Sequence, residues 1–198
     1  MNKDKLIWTE IDRKKVFECK VFSVLESWCT APASEEKPHK TGAQVFSVID
    51  AKDWCIVIPA LDTPNGRQFV MVRQWRHGSK CLSLEFPGGV MENGEEPEEA
   101  GRRELYEETG YKPASMKKLG EFSPNPAIMS NKVYFYLAED LTTDGKQKLD
   151  EDEFVEIEIV DEKEVINGMG KEPYIHALMG TALSLYLSRN IQNGSRFN

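Results

Sequence analysis

Apolar residues along most of this chain alternate or cluster in short runs, and near its end one stretch repeats at helical spacing. KVFECKVFSVL, roughly residues 15 to 25, reads as one strand, and the polar stretch TAPASEEKPHKTG after it reads as a loop because of its Pro and Gly. From Ala43 onward QVFSVID, WCIVIPAL, QFVMVRQW and LSLEF follow in quick succession, separated by turns such as TPNG and rich in β-branched and aromatic residues. Three later runs predict further strands: KKLGEF at 117 to 122, KVYFYLA at 132 to 138 and FVEIEIV at 154 to 160, the last strictly alternating.

Residues 97 to 109 predict a helix. Pro97 suits its first turn, Glu98 and Glu99 complement the N-terminal dipole, and Gly110 fits a C-terminal cap. DEKEVING and YIHALMGTALSLYLSRN predict a short and a long helix at the end. The order is β-rich, helix, β-rich, helix. It predicts an α/β (α+β) fold, a mixed β-sheet sandwiched between α-helices, with residues 1–43 a small N-terminal β appendage and residues 44–198 the main domain.

Composition narrows the function. With 198 residues, 40% of them hydrophobic, the chain can build a core, and no apolar run approaches the roughly 20 residues that span a bilayer. A cytosolic protein is expected. The formal net charge of -8 argues against a nucleic-acid partner, since phosphate-backbone affinity comes largely from Lys and Arg. Cys19, Cys29, Cys55 and Cys81 form no C-x-x-C pair, and His39, His77 and His176 are scattered, so a zinc or redox centre is not expected.

One segment concentrates charge. GGVMENGEEPEEAGRRELYEETG, residues 88 to 110, holds eight glutamates in twenty-three positions. On a helix turning about 100° per residue, Glu104, Glu107 and Glu108 share one face, and Arg103 can pair with Glu107. A solvated acidic face would explain that much. The glycines point further: Gly88 and Gly89 let backbone approach a ligand closely, and a carbonyl beside two or three carboxylates makes an all-oxygen site suited to Mg²⁺ or Mn²⁺. Gly101, in mid-helix, costs up to about 1 kcal/mol relative to Ala unless something packs closely against it.

The segment reads G-x5-E-x7-R-E-U-x-E-E-x-G-U from Gly89 to Tyr111, with U apolar or aromatic. At every defined position it resembles the Nudix box of the Nudix hydrolases. The resemblance implies that Glu104, Glu107 and Glu108, with the Gly88 carbonyl, bind the metal. It also implies that Glu95 and Arg103 brace loop against helix, that Leu105 points into the core, and that Gly89 and Gly110 serve the motif's shape. In the branch that cleaves ADP-ribose and other nucleoside diphosphate sugars, a base comes from a loop before a late strand. KLDEDEFVEIEIV occupies that place, with Glu153 the first candidate and Glu151 the second.

Residues 44 to 160 resemble that branch through MVRQWRHG, LEFPGG and Pro126, fifteen residues after Tyr111. Arg76 is then expected to reach a substrate phosphate or sugar and Glu85 to support the metal site or substrate. The resemblance also implies a homodimer whose N-terminal sheet crosses to the partner, with Trp28 and Trp54 as candidates to stack on adenine and Pro126 at the substrate. The loop SPNPAIMSNKV departs from the Pro-Gly-then-acid pattern of many relatives, which leaves two alternatives: a Nudix hydrolase of a dinucleoside polyphosphate or modified nucleoside triphosphate, or a non-catalytic nucleotide sensor.

Overall fold

The computed structural model describes residues 6–32, 42–151, 153–192 and 194. Most of the loop expected at 30 to 42 therefore lies outside the described residues. Contacts divide the chain into two compact units, Met1–Lys52 with Ser123–Asn131, and Asp53–Phe122 with Lys132–Asn198.

The smaller unit is a three-stranded antiparallel sheet of β1 (Thr9–Glu18), β2 (Phe22–Thr30) and β3 (Gln44–Ala51), in that order. The single strand predicted over 15 to 25 is in fact a hairpin. Its apolar run continues through the turn, where the Cys19 N–H donates to Phe22 O at 3.0 Å, so hydropathy alone did not mark the reversal. QVFSVID, expected to open the main sheet, pairs instead with β2. The segment Ser123–Asn131 joins the same unit, with the Ile49 N–H donating to Ile128 O at 2.7 Å.

The larger unit is a mixed sheet flanked by helices, as expected. Its path runs β10 (Val155–Asp161), β5 (Gly66–Arg76), β4 (Trp54–Thr63), β9 (Val133–Thr143) and β8 (Tyr111–Phe122), with β6 (Cys81–Glu85) on β5 and β7 (Gly88–Val90) on β4. Among the described strands of this sheet only β4 and β9 pair in parallel. Because strand side chains alternate between faces, β4 serves two cores. Ile56, Ile58 and Ala60 enter the larger one with Phe69, Phe135 and Leu137, covered by α2 (Glu162–Gly168) and α3 (Ala177–Gln192). Val57 faces the opposite side, packed with Leu105, Tyr136 and Ala138.

Leu105 belongs to α1 (Pro97–Thr109), whose boundaries match the sequence expectation. Gly110 caps it in the left-handed region (φ 71°), its N–H donating to Tyr106 O. The mid-helix Gly101 is explained by crowding: a Cβ there would lie 2.9 Å from the Met116 methyl carbon and 3.1 Å from Val57 Cγ2.

Candidate active site

The buried stripe of α1 carries Ala100, Gly101, Glu104, Leu105 and Glu108, residues three to four apart that face the sheet together. Two carboxylates thus sit on the face that burial would ordinarily give to apolar groups. Glu107 lies beside them, half-buried. Glu98 and Glu99 occupy the first turn, where the helix dipole is reason enough for them.

Glycines make the close approach possible. Gly88 has φ +157°, and a Cβ on it would sit 2.2 Å from Cys55 O, so β7 can run this close to β4 only without a side chain. The Gly88 N–H donates to Glu108 Oε2 at 2.9 Å. At Gly89 a Cβ would meet the Glu104 carboxylate at 2.7 Å. A side chain at either position would displace a glutamate or the strand.

Arg103 ties the loop to the helix. Its Nε and Nη2 donate to the two oxygens of Glu95, both at 2.9 Å, and Nη2 also donates to Val90 O at 3.2 Å. Its Nη1 donates to Glu104 at 2.7 Å and to Glu107 at 3.1 Å. The i,i+4 pair anticipated from spacing is thus one contact of several.

This single guanidinium does not offset the burial. Desolvation raises the Glu104 carboxyl above its ordinary value despite the Arg103 hydrogen bond, with the charges of Glu107 and Glu153 adding to the effect. Desolvation pushes Glu108 up to about 8; the Gly88 N–H opposes this, while Glu104 and Glu153 reinforce it. Among the described residues no three His, Cys, Asp or Glu side chains already converge as a metal cage. The donor chemistry nevertheless fits a divalent cation. The side chains are hard oxygen donors whose ionised forms are penalised without a counter-charge, and Gly89 keeps clear the space at Glu104 that a Cβ would fill.

Glu153 acts on this centre from the segment before β10. Its backbone N–H donates to Asp150 O at 3.1 Å and its Oε2 accepts from the Asp150 N–H at 3.1 Å, which closes a turn. Glu151 lies exposed in that turn. The segment is pinned to the end of α1: the Lys148 N–H donates to Glu107 O at 2.8 Å and Gln147 Nε2 to Glu108 O at 2.6 Å. These carbonyls belong to the last turn, which has no partners within the helix. Sequence reasoning missed Gln147 and Lys148, because a polar residue in a loop carries no signal of which helix end it will cap.

On the next strands Arg76 Nε donates to Glu85 Oε1 at 2.8 Å, with a second bond from Nη2 to Oε2. Glu85 is 1% exposed. Burial alone would raise its carboxyl, but Arg76 outweighs that and holds it below the ordinary range, with the His176 charge acting in the same sense. Burial lowers His176, as does Arg76. Nothing in the sequence placed His176 here. Trp54 opens β4 and packs against the larger core, Trp28 lies partly exposed in β2, and Pro126 is exposed in the turn of the Ser123–Asn131 segment.

The site is thus a Gly-Gly strand lying against a helix with buried carboxylates, in a mixed sheet between helices. Residues 54–178 match the family model described as NUDIX domain, and the chain belongs to that family. It is 42% identical over 91 residues to an ADP-ribose pyrophosphatase of Bacillus subtilis (strain 168), covering 46% of this chain and 49% of that one. It is 37% identical over 94 residues to a methanol dehydrogenase activator of Bacillus methanolicus, covering 47% and 51%. The chain thus spans about half the length of these two relatives. In fold it is similar to a crystal structure of an ADP compounds hydrolase, with TM-score 0.79 at 20% identity, over 98% of this chain and 100% of that one.

Proposed function

We propose that this chain is a hydrolase of phosphoanhydride bonds that uses Mg²⁺, or Mn²⁺, to cleave ADP-ribose or a related nucleoside diphosphate sugar into a nucleoside monophosphate and a sugar phosphate. The observation that carries this reading is the pair Glu104 and Glu108, buried on one helix face beside two glycines, with the charge of Glu153 reaching both. The relative from Bacillus subtilis supports the substrate class.

In this reading Glu104, Glu107, Glu108 and the Gly88 carbonyl hold the cation. A cation held there would supply positive charge to the pyrophosphate oxygens and a lowered pKa to bound water. Glu153 takes the proton of the attacking water, with Glu151 the alternative from the same turn. Arg76 holds a substrate phosphate, and Glu85 fixes the plane of its guanidinium through two parallel bonds. Trp28, Trp54 and Pro126 are the substrate-facing candidates outside the metal centre. Of the two tryptophans, Trp28 is the better base platform, since Trp54 packs against the core.

The appendage suits a homodimer. β1 is exposed along its whole length and carries Ile11, Val16 and Phe17, each at least 47% exposed in the single chain. A cytoplasmic site of action accords with free thiols at Cys19, Cys29, Cys55 and Cys81. Among the described residues no helix is long and apolar enough to cross a membrane.

The test is a panel of ADP-ribose, ADP-glucose and GDP-mannose incubated with Mg²⁺, with products separated by chromatography. AMP and ribose 5-phosphate from ADP-ribose, abolished by EDTA, are expected. Tight binding of ADP-ribose without turnover of any member would replace the hydrolase reading with a nucleotide sensor.

A further inference from the structure

Beside the Arg76–Glu85 pair, within the larger unit, lies an open cavity of about 570 Å³ between the β5–β6 turn and the start of α3. Trp75, Arg76, His77, Ser79, Ser83 and His176 contribute its polar and aromatic lining. Arg76 lines the cavity, and the charge of Glu108 acts on the same guanidinium.

Two of these groups stand ready for a ligand. Ser83 is 1% exposed, and its Oγ makes no hydrogen bond of acceptable geometry. Its side chain also reaches Glu85, its same-face neighbour two residues on, and helps to hold that carboxyl ionised. A buried hydroxyl left in this condition is costly, and native structures supply such groups with a partner. His176 Nδ1 accepts the Leu178 N–H at 3.2 Å, capping α3, which leaves Nε2–H as a donor.

Charge selects the class of ligand. Arg76 is the one Lys or Arg lining the cavity, and the reading above already gives it the phosphate at the metal helix, so no further Lys or Arg is left there for a second one. The cavity offers hydroxyl and imidazole donors beside a half-exposed indole, which suits the C–H face and hydroxyl edge of a sugar ring.

We infer that this cavity receives the hydroxylated ring of the non-nucleoside half of the substrate, with Ser83 and His176 as its specificity-determining contacts. The inference rests on the nucleotide-sugar reading above and adds to it which half of the substrate lies where.

Ser83→Ala and His176→Asn are the informative variants. The asparagine keeps an oxygen to cap α3 and removes Nε2, so it separates capping from recognition. ADP-ribose and ADP-glucose share their adenosine diphosphate and differ in the distal sugar and in the sugar carbon that bears the phosphate, whereas ADP-mannose and GDP-mannose differ only in the base. Both variants should change the kcat/KM ratio of the first pair about tenfold and leave the second ratio within about twofold. In metal-free wild-type protein, ribose 5-phosphate should shift the His176 ring resonances, and Ser83→Ala should weaken that shift.

Turnover with both ratios unchanged and no His176 response would overturn the inference while the hydrolase reading stands. A changed base ratio would overturn it as well, by putting the nucleoside here. A His176 response to ribose 5-phosphate in a protein that turns over no nucleotide sugar would keep the cavity's ligand and reject the hydrolase reading.

Discussion

Two helices cover opposite faces of the same sheet by opposite means. α3 buries Met179, Ala182, Leu183 and Tyr186, a continuous apolar stripe on the larger core, and even the Tyr186 hydroxyl is occupied by Glu162. α1 buries Ala100, Gly101 and Leu105 with Glu104 and Glu108 among them, and its carboxylates stay penalised by desolvation. One face of the sheet is packed for cohesion, whereas the other gives up cohesion to bury two carboxylates. Sites that need ionised groups out of water are expected to be locally less stable than the scaffold around them.

The contrast is sharpest at Glu108. Glu108→Gln should lower kcat by about a thousandfold, the scale on which loss of an electrostatic contact at a reacting centre acts, while the metal-free protein melts no lower than wild type. A variant with near-normal turnover at saturating Mg²⁺ would remove the asymmetry. On the other face, Leu183→Ala should cost about 3 kcal/mol of stability by denaturant titration with kcat unchanged below the melting range. A fall in kcat with little loss of stability would make α3 part of the site.

The pH dependence separates the faces more finely. Glu108 titrates near 8 when folded, above its ordinary value of 4.5, so its protonated form favours the fold. Its contribution to stability is whole below about 4.5 and is lost as pH rises toward 8, at up to about 1.4 kcal/mol per pH unit. Metal-free Glu108→Gln should therefore gain on wild type between pH 5 and 8 in paired thermal melts, and Leu183→Ala should show a pH-independent difference. The smallest effect belongs to Gly101→Ala: crowding by Val57 and Met116 should cancel the helix-propensity gain of about 1 kcal/mol. A melting temperature raised by the full propensity gain would mean that α1 packs more loosely than it does here.

Much of this was readable from residue order, for physical reasons. The α1 boundaries follow from Pro97 and Gly110, which act locally, and β10 from strict alternation. The acidic box is likewise local, since i,i+4 spacing puts Glu104 and Glu108 together whatever surrounds them. What stayed hidden depends on contacts distant in sequence. Hydropathy ran β1 and β2 together because the turn at Cys19 keeps apolar neighbours, and β3 looked like its successors until pairing assigned it to β2. The company of Glu108, which favours its neutral form, the capping by Gln147 and Lys148, and the placing of His176 beside Glu85 all join segments that no window of sequence brings together.

Arg103 also bears on how the loop ahead of the helix moves. One side chain holds Glu95 and Val90 O on its loop side and Glu104 and Glu107 on its helix side. A cation drawing the two helix carboxylates toward itself would release Nη1 and leave the guanidinium to the loop alone. Amide exchange across residues 91–96 would then respond to metal, although none of those residues need touch it. The loop would then report occupancy of the centre through Arg103.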